Sequence, residues 1–197
     1  MTQLSRSDLL SLERYSEQRA EYRAQVMSHK KNRRVALGPN ATLYFEDRLT
    51  MQYQIQEILR IEKVFEASAI EEELEAYNPL IPDGSNWKAT FMIEFPDESE
   101  RKAALAKMIG IERTLWVAVG EHEKVHPIAN EDLQRETEEK TSAVHFLRFE
   151  LTAGMIESLK SGESIQMGVD HENYHHTTGV LAENIRESLA ADLQMHH

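Results

Sequence analysis

Apolar residues in the first third of the chain recur at helical spacing. Leu12, Tyr15, Tyr22 and Val26 fall three, seven and four apart within residues 9–29, after a capping pair Ser5 and Asp8, and predict an amphipathic helix whose stripe Arg19 interrupts. Val35-Ala36-Leu37 and Thr42-Leu43-Tyr44-Phe45 flank the turn cluster Gly38-Pro39-Asn40, which is a hairpin pattern. Met51, Ile55, Ile58 and Phe65 share one face of a second helix over residues 50–65, opposite Gln52, Gln56, Arg60 and Lys63. A third helix follows, with Ser68 and Glu71 at capping-box spacing and Ile70, Leu74 and Tyr77 on one side, and stops at Asn78-Pro79.

The period then changes from near four to two. After a loop over 78–86, Trp87, Ala89, Phe91, Ile93 and Phe95 alternate with Lys88, Thr90, Met92 and Glu94, a strong strand signal. A helix over 98–109 is opened by Asp97 and closed by Gly110, and Leu115–Val119 and Val125–Ala129 read as a hairpin about Gly120. Residues 130–141 are acidic and polar, a surface helix or loop. Residues 142–151 are apolar at both alternating sets of positions, as in a central strand. Thr152 opens a short helix ending near Gly162, residues 165–169 form the last strand, and Leu181, Ile185, Leu189 and Leu193 mark a closing helix. The expected fold is therefore α+β: a single domain with a largely antiparallel sheet, helices packed mainly on one face and a helical N-terminal part. Its parts are residues 1–78 (helical, with a short hairpin), 86–170 (main sheet with inserted helices) and 178–195 (closing helix).

Composition narrows the chemistry. The 197 residues contain no cysteine, so thiol catalysis, disulfides and thiolate-ligated clusters or zinc are excluded. The formal net charge of −12 is uneven: residues 1–34 carry 8 Lys and Arg against 4 Asp and Glu, the remainder 14 against 30. An acidic body repels phosphate backbones, and the basic run Lys30-Lys31-Asn32-Arg33-Arg34 has no interleaved aromatic residue, so no nucleic acid is expected as partner. The run reads better as cations at a helix C-terminus. Neither a signal-peptide core nor an apolar membrane span is evident, and the cytoplasm is the expected compartment. Both glycine-rich phosphate loops and the G-x-S-x-G nucleophile elbow are missing from the sequence.

Two constellations remain. His171-Glu172-Asn173-Tyr174-His175 matches H-E-x-x-H, which on a helix would set two imidazoles on one face beside a glutamate base. It follows a strand directly, Asn173 and Thr177-Thr178-Gly179 are poor helix formers, and Ala182 stands where a third histidine would be. Zinc or iron at His171 and His175 would need a third ligand from Glu183, Glu187 or His196; no cofactor is otherwise expected. The second is an inward-facing His145, for which Glu62 is the candidate buried partner. Glu57 and Glu62, five residues apart, do not share a helix face.

Longer stretches carry a resemblance. Arg33-Arg34-Val35-Ala36-Leu37-Gly38-Pro39, Thr42-Leu43-x-Phe45-Glu46, Tyr53-Gln54-Ile55-Gln56-Glu57-x-Leu59-Arg60-x-Glu62, Tyr77-Asn78-Pro79-Leu80-Ile81-Pro82 and Thr137–Leu147 are similar to a bacterial family catalogued as domain of unknown function 3501. The resemblance spans nearly the whole chain and implies no catalytic residue. It implies an accessory role beside oxidative-stress or electron-transfer proteins, because such genes neighbour those of rubrerythrin-like and iron–sulfur oxidoreductases.

The expectation is thus an accessory or partner-binding protein without its own catalysis, the alternative being a metal-dependent hydrolase or iron-handling enzyme using His171, Glu172 and His175. Arg33, Arg34, Glu46, Gln54, Glu57 and Arg60 are the candidate functional surface, because opposite charges on the hairpin and the next helix can interlock. An arginine within an apolar stripe is accommodated well at an interface, so Arg19 also predicts a homodimer through the first helix, with Glu13 or Glu17 of a second copy reaching it.

Overall fold

The computed structural model describes residues 3–194. Six helices and eight strands alternate along it. Helix α1 runs over Leu12–Lys30, with the Ser11 hydroxyl accepting from the Arg14 amide. Strands β1 (Arg34–Ala36) and β2 (Ala41–Glu46) form the expected hairpin about Gly38. Helix α2 (Arg48–Glu62) begins at a reciprocal cap between Asp47 and Thr50. It ends before Phe65 because Lys63 turns left-handed (φ 53°), a conformation that stops a helix. Helix α3 (Ala67–Tyr77) starts at Glu66, so Ser68 lies inside it and is not its cap.

Strand β3 (Asn86–Ile93) is the centre of the larger sheet. It pairs with β2 on one side and with β6 (Val144–Glu150) on the other, giving the order β1-β2-β3-β6-β5, where β5 is the pair Ile128–Ala129. The remaining strands, β4 (Leu115–Val119), β7 (Ile165–His171) and β8 (Tyr174–Val180), form a second, three-stranded sheet in the order β4-β7-β8. Every strand pair is antiparallel. The architecture is the expected α+β class, divided between two sheets.

Three expectations change. Residues 125–129 do not complete a hairpin with β4: Val125 makes one bridge to Val117, and Ile128 and Ala129 join β6 in the other sheet. The His-rich stretch, which follows the strand expected to be the last, is itself largely β8, an edge strand whose mostly polar residues hid its pairing. Residues 144–150 are buried at alternate positions only, so one face of β6 is open instead of both being covered.

The main core lies between the sheets. Leu43, Phe45, Trp87, Phe91 and Phe149 from the larger sheet meet Leu115, Val117, Ile165, Met167 and Val169 from the smaller, with Leu105 of α4 (Glu98–Lys107), Met155 and Leu159 of α5 (Ala153–Lys160) and Leu189 of α6 (Glu183–Ala190). A Cβ at Gly168 would sit 2.4 Å from the Trp116 ring, so only glycine permits that contact. At the hairpin tip, Gly38 (φ +75°) lies under the His176 ring, while the Tyr174 hydroxyl donates to Leu37 O at 2.6 Å. A separate apolar cluster of Leu4, Met51, Ile55, Leu59, Leu74 and Ile81 joins the N-terminal segment to α2 and α3. Among the described residues no helix is long and apolar enough to cross a membrane.

Candidate functional site

The open face of the larger sheet is where the fold leaves room. Residues 87, 89, 91 and 93 of β3 point into the core and are buried, so Lys88, Thr90 and Met92 point the other way, as the period of two requires. Register places Arg148 of β6 directly opposite Lys88, and Phe146 opposite Thr90. Helix α3 and the short turn after it stand over this face without filling it. A cavity of about 740 Å³ remains, walled by Ala76, Tyr77, Pro79 and Leu80, floored by Lys88, Phe146 and Arg148, and rimmed by Glu73, Glu75, Glu131 and Asp132. A smaller cavity of about 220 Å³ continues along the same face beside Lys30, Tyr44, Glu46, Thr90 and Met92.

The floor holds two cations in unequal circumstances. Arg148 is neutralised: Glu131 accepts from its Nε and Nη2 at 2.9 and 2.7 Å, and Glu150 takes its Nη1. This pairing holds the Glu131 carboxyl below its usual range. For Lys88, half-buried in the same floor, no carboxylate among the described residues lies within 4.0 Å. Burial, with the Arg148 charge, pushes its ammonium pKa down against the opposing pull of the Glu131, Asp83 and Glu150 carboxylates. Like charges directly opposite each other on antiparallel strands are destabilising, so the Lys88–Arg148 pair breaks a local rule of sheet construction, while on the β2 side Glu46 stands opposite Lys88. On the wall, burial raises the Tyr77 phenol against the opposing influence of Gln54 of α2, and burial together with Glu62 raises the Glu73 carboxyl. An arrangement of mostly apolar walls with a few convergent, perturbed polar groups is the ordinary form of a small-molecule site.

The six residues expected to form one charged surface are distributed over several contacts. Arg33 is buried at the base of α6, bonding Asp192 at 2.5 Å and the carbonyls of Phe45, Glu46 and Ser188 at 3.0–3.2 Å, with Asp47 at 3.4 Å. Arg34 lies against Tyr44, 5.7 Å from the ring centroid. Glu46 accepts from Thr50 at 2.6 Å and from Thr90 at 2.8 Å. Gln54 supports Tyr77. Glu57, with Arg60 at 3.7 Å, receives Arg19 at 2.7 and 2.9 Å and the Tyr15 hydroxyl at 2.7 Å. The charges do interlock, but mostly across α1–α2 and β2–α6 and not between hairpin and helix. Glu57 of the same chain therefore answers Arg19, and α2 covers the stripe that pointed to a second copy; Glu13 and Glu17 are exposed.

His145 is fully buried, and its neighbour is Glu112, at 4.0 Å; Glu62 is exposed at the end of α2. The Asn130 amide donates to Nδ1 at 2.9 Å and Nε2 donates to Ser142 O at 3.0 Å, which fixes a neutral tautomer. Burial pushes this imidazole down to about 4 and raises the Glu112 carboxyl, whose Oε2 has no partner. His171 and His175 flank a hairpin turn. His171 pairs with Tyr174 and His175 with Asp170, so the two imidazoles project from opposite faces and cannot share an ion. Among the described residues no group of three or more His, Asp or Glu side chains is placed to hold a metal. Glu183 and Glu187 lie on α6, and His196 lies outside the described residues.

Sequence reasoning missed Lys88, Tyr77 and Arg148 as members of one site. The one signal present was a lysine in the outward register of a strand with only Thr90 and Met92 beside it.

A family model described as protein of unknown function, DUF3501, matches residues 3–193. A crystal structure from Burkholderia pseudomallei K96243, described as a novel protein of unknown function at 1.90 Å resolution, is similar at 47% identity and a TM-score of 0.93, covering 98% of this chain and 100% of that one. No curated protein matches.

Proposed function

The chain belongs to the DUF3501 family, and we propose that it is a binding protein without catalysis of its own, whose ligand is a small, uncharged, largely apolar or aromatic molecule held in the cavity on the open face of the larger sheet. The observation that carries this reading is the cavity itself. Its volume falls within the range of about 300–1,000 Å³ usual for ligand pockets, and Tyr77, Pro79, Leu80 and Phe146 supply apolar surface. The rim selects against anions, since Glu73, Glu75, Glu131 and Asp132 outnumber the two floor cations and Arg148 is already neutralised.

Titration with benzyl alcohol, followed by amide and aromatic NMR shifts, tests this. Shifts are expected at Tyr77, Leu80 and Phe146, they should vanish in the cavity-filling variant Leu80→Trp, and benzoate should bind at least tenfold more weakly. No shifts at these residues, or tighter binding of benzoate, would overturn the reading.

An accessory role through a protein partner is favoured by a different feature. Ile61 and Phe65 are 66% and 71% exposed at the end of α2, beside an apolar groove of about 470 Å³ lined by Leu9, Leu12, Leu59, Val64 and Ile70. Exposed apolar residues grouped at a groove are a usual mark of protein contact. Under this reading the partners are the oxidative-stress or electron-transfer proteins that the family resemblance implies, and Phe65→Glu should abolish their recovery from host extract.

A further inference from the structure

We propose that the Lys88 amine condenses with an aldehyde or ketone group of the ligand, forming an imine on the cavity floor. This rests on the reading of the cavity as a small-molecule site and adds the reacting group.

Three observations of the floor carry it. Lys88 is the one floor cation without a carboxylate partner among the described residues, so no ion pair holds its proton. It faces Arg148 across the β3–β6 register and Glu46 across the β2–β3 register, but the Glu46 oxygens are taken by Thr50 and Thr90 and form no ion pair with the amine. Phe146 and Leu80 line the same space and withdraw it from water. A lysine desolvated in an apolar pocket or set beside another cation is the general recipe for an amine nucleophile, and the downward shift of its pKa agrees. The acidic rim then disfavours a carboxylate or phosphate as the thing that Lys88 binds, which leaves a neutral electrophile as its natural counterpart.

The step balances without any external oxidant or reductant. The lone pair of neutral Nζ attacks the carbonyl carbon and the C=O π bond breaks, giving a carbinolamine as the proton lost from nitrogen passes to oxygen. A second proton lets that hydroxyl leave as water while the nitrogen lone pair closes the C=N bond, and the resulting iminium returns its remaining N–H proton to the donor, leaving the imine. Tyr77 and Glu73, both lining the cavity and both raised in pKa, are the groups able to hand on those protons.

Treatment of the full chain with benzaldehyde and sodium cyanoborohydride at pH 7, followed by peptide mass mapping, reads the step as a stable benzylamine. Lys88 should be modified at least tenfold faster than Lys102, whose side chain is 70% exposed and serves as reference in the same tube. Leu80→Trp should slow Lys88 by at least tenfold and leave Lys102 unchanged. Modification of Lys88 no faster than Lys102, or a Lys88 rate indifferent to Leu80→Trp, would overturn the proposal. Benzyl alcohol, which cannot form an imine, separates the two claims. If it binds wild type and Lys88→Met alike while no adduct forms at Lys88, the amine chemistry fails and the cavity stands. If it binds neither, the cavity reading fails as well.

Discussion

Arg33 and Lys88 both hold a positive charge beneath the surface of one sheet, and the protein treats them oppositely. Arg33 stands where the chain enters β1, and two carboxylates and three carbonyls converge on its guanidinium from β2, the start of α2 and the end of α6. Lys88 stands mid-strand between Arg148 of β6 and Glu46 of β2, and nothing comparable converges on it, because the Glu46 oxygens are taken by Thr50 and Thr90. The first arrangement joins elements far apart in sequence, for Asp192 is 159 residues from Arg33. A satisfied buried charge of this kind fastens a fold, whereas a half-buried charge left unpaired is a cost that packing alone would remove. The contrast separates architecture from function within a single sheet.

Removing the fastened charge should have the largest effect. Arg33→Met strands Asp192 in the interior, leaves Asp47 with only His29 and the Thr50 amide, and leaves three carbonyls short of a donor. Loss of one member of a buried ion pair typically destabilises by about 3–5 kcal/mol. Urea denaturation should show a loss of that size at pH 7, and a loss below about 1 kcal/mol would mean that Arg33 is no more structural than Lys88.

A third buried base, His145, sharpens the comparison because it is held neutral by burial. Its folded pKa of about 4 lies below the unfolded value near 6.5, so between those pH values the unfolded state binds more protons and stability falls as pH falls. The full effect of about 2.5 pKa units corresponds to roughly 3 kcal/mol, present above pH 6.5 and gone below pH 4. Asp192 acts in the opposite sense over a similar range, since burial raises its carboxyl to about 6 in spite of Arg33. The difference in denaturation free energy between wild type and His145→Gln therefore isolates the imidazole: the variant should lack this component of the pH slope, and identical slopes would refute the assignment.

The sequence shows the backbone of this contrast more readily than its chemistry. Alternation across Trp87–Ile93 by itself assigns Lys88 to the outward face of a strand, and the run from Thr42 to Phe45 marks a strand of the hairpin that follows Arg33. The lack of a counterion at Lys88 is invisible at that level. It depends on β6 setting Arg148 across from it on one side and on Thr50 and Thr90 taking the oxygens of Glu46, which β2 sets across from it on the other, and such long-range pairing leaves no local mark. β8 escaped notice for a related reason: Tyr174-His175-His176-Thr177-Thr178 buries only Tyr174 fully, so hydrophobic alternation has little to register. Glu112 was likewise hidden as the partner of His145, because a single glutamate after Gly110 has the pattern of surface loop and is buried only by the packing of distant segments around it.

The smallest expected effect is the most discriminating. Lys88→Met removes a half-buried ammonium with no carboxylate within 4.0 Å among the described residues, ends both the like-charge opposition with Arg148 and the longer-range attraction of Glu46 across β2, and fills the same space with an apolar chain. Cross-strand like-charge opposition is worth roughly 0.2–1 kcal/mol, so the variant should be as stable as wild type or more stable by up to about 1 kcal/mol, a rise of at most ~2–4 °C in Tm for a chain of this size. A residue kept for architecture cannot behave in this way, as Arg33 should demonstrate by falling on the other side of zero. A loss exceeding about 1 kcal/mol on Lys88→Met would show that the ammonium makes stabilising contacts after all, and would collapse the distinction between the two cations. A gain, combined with loss of the benzaldehyde adduct, would mark Lys88 as a position where stability is given up for reactivity.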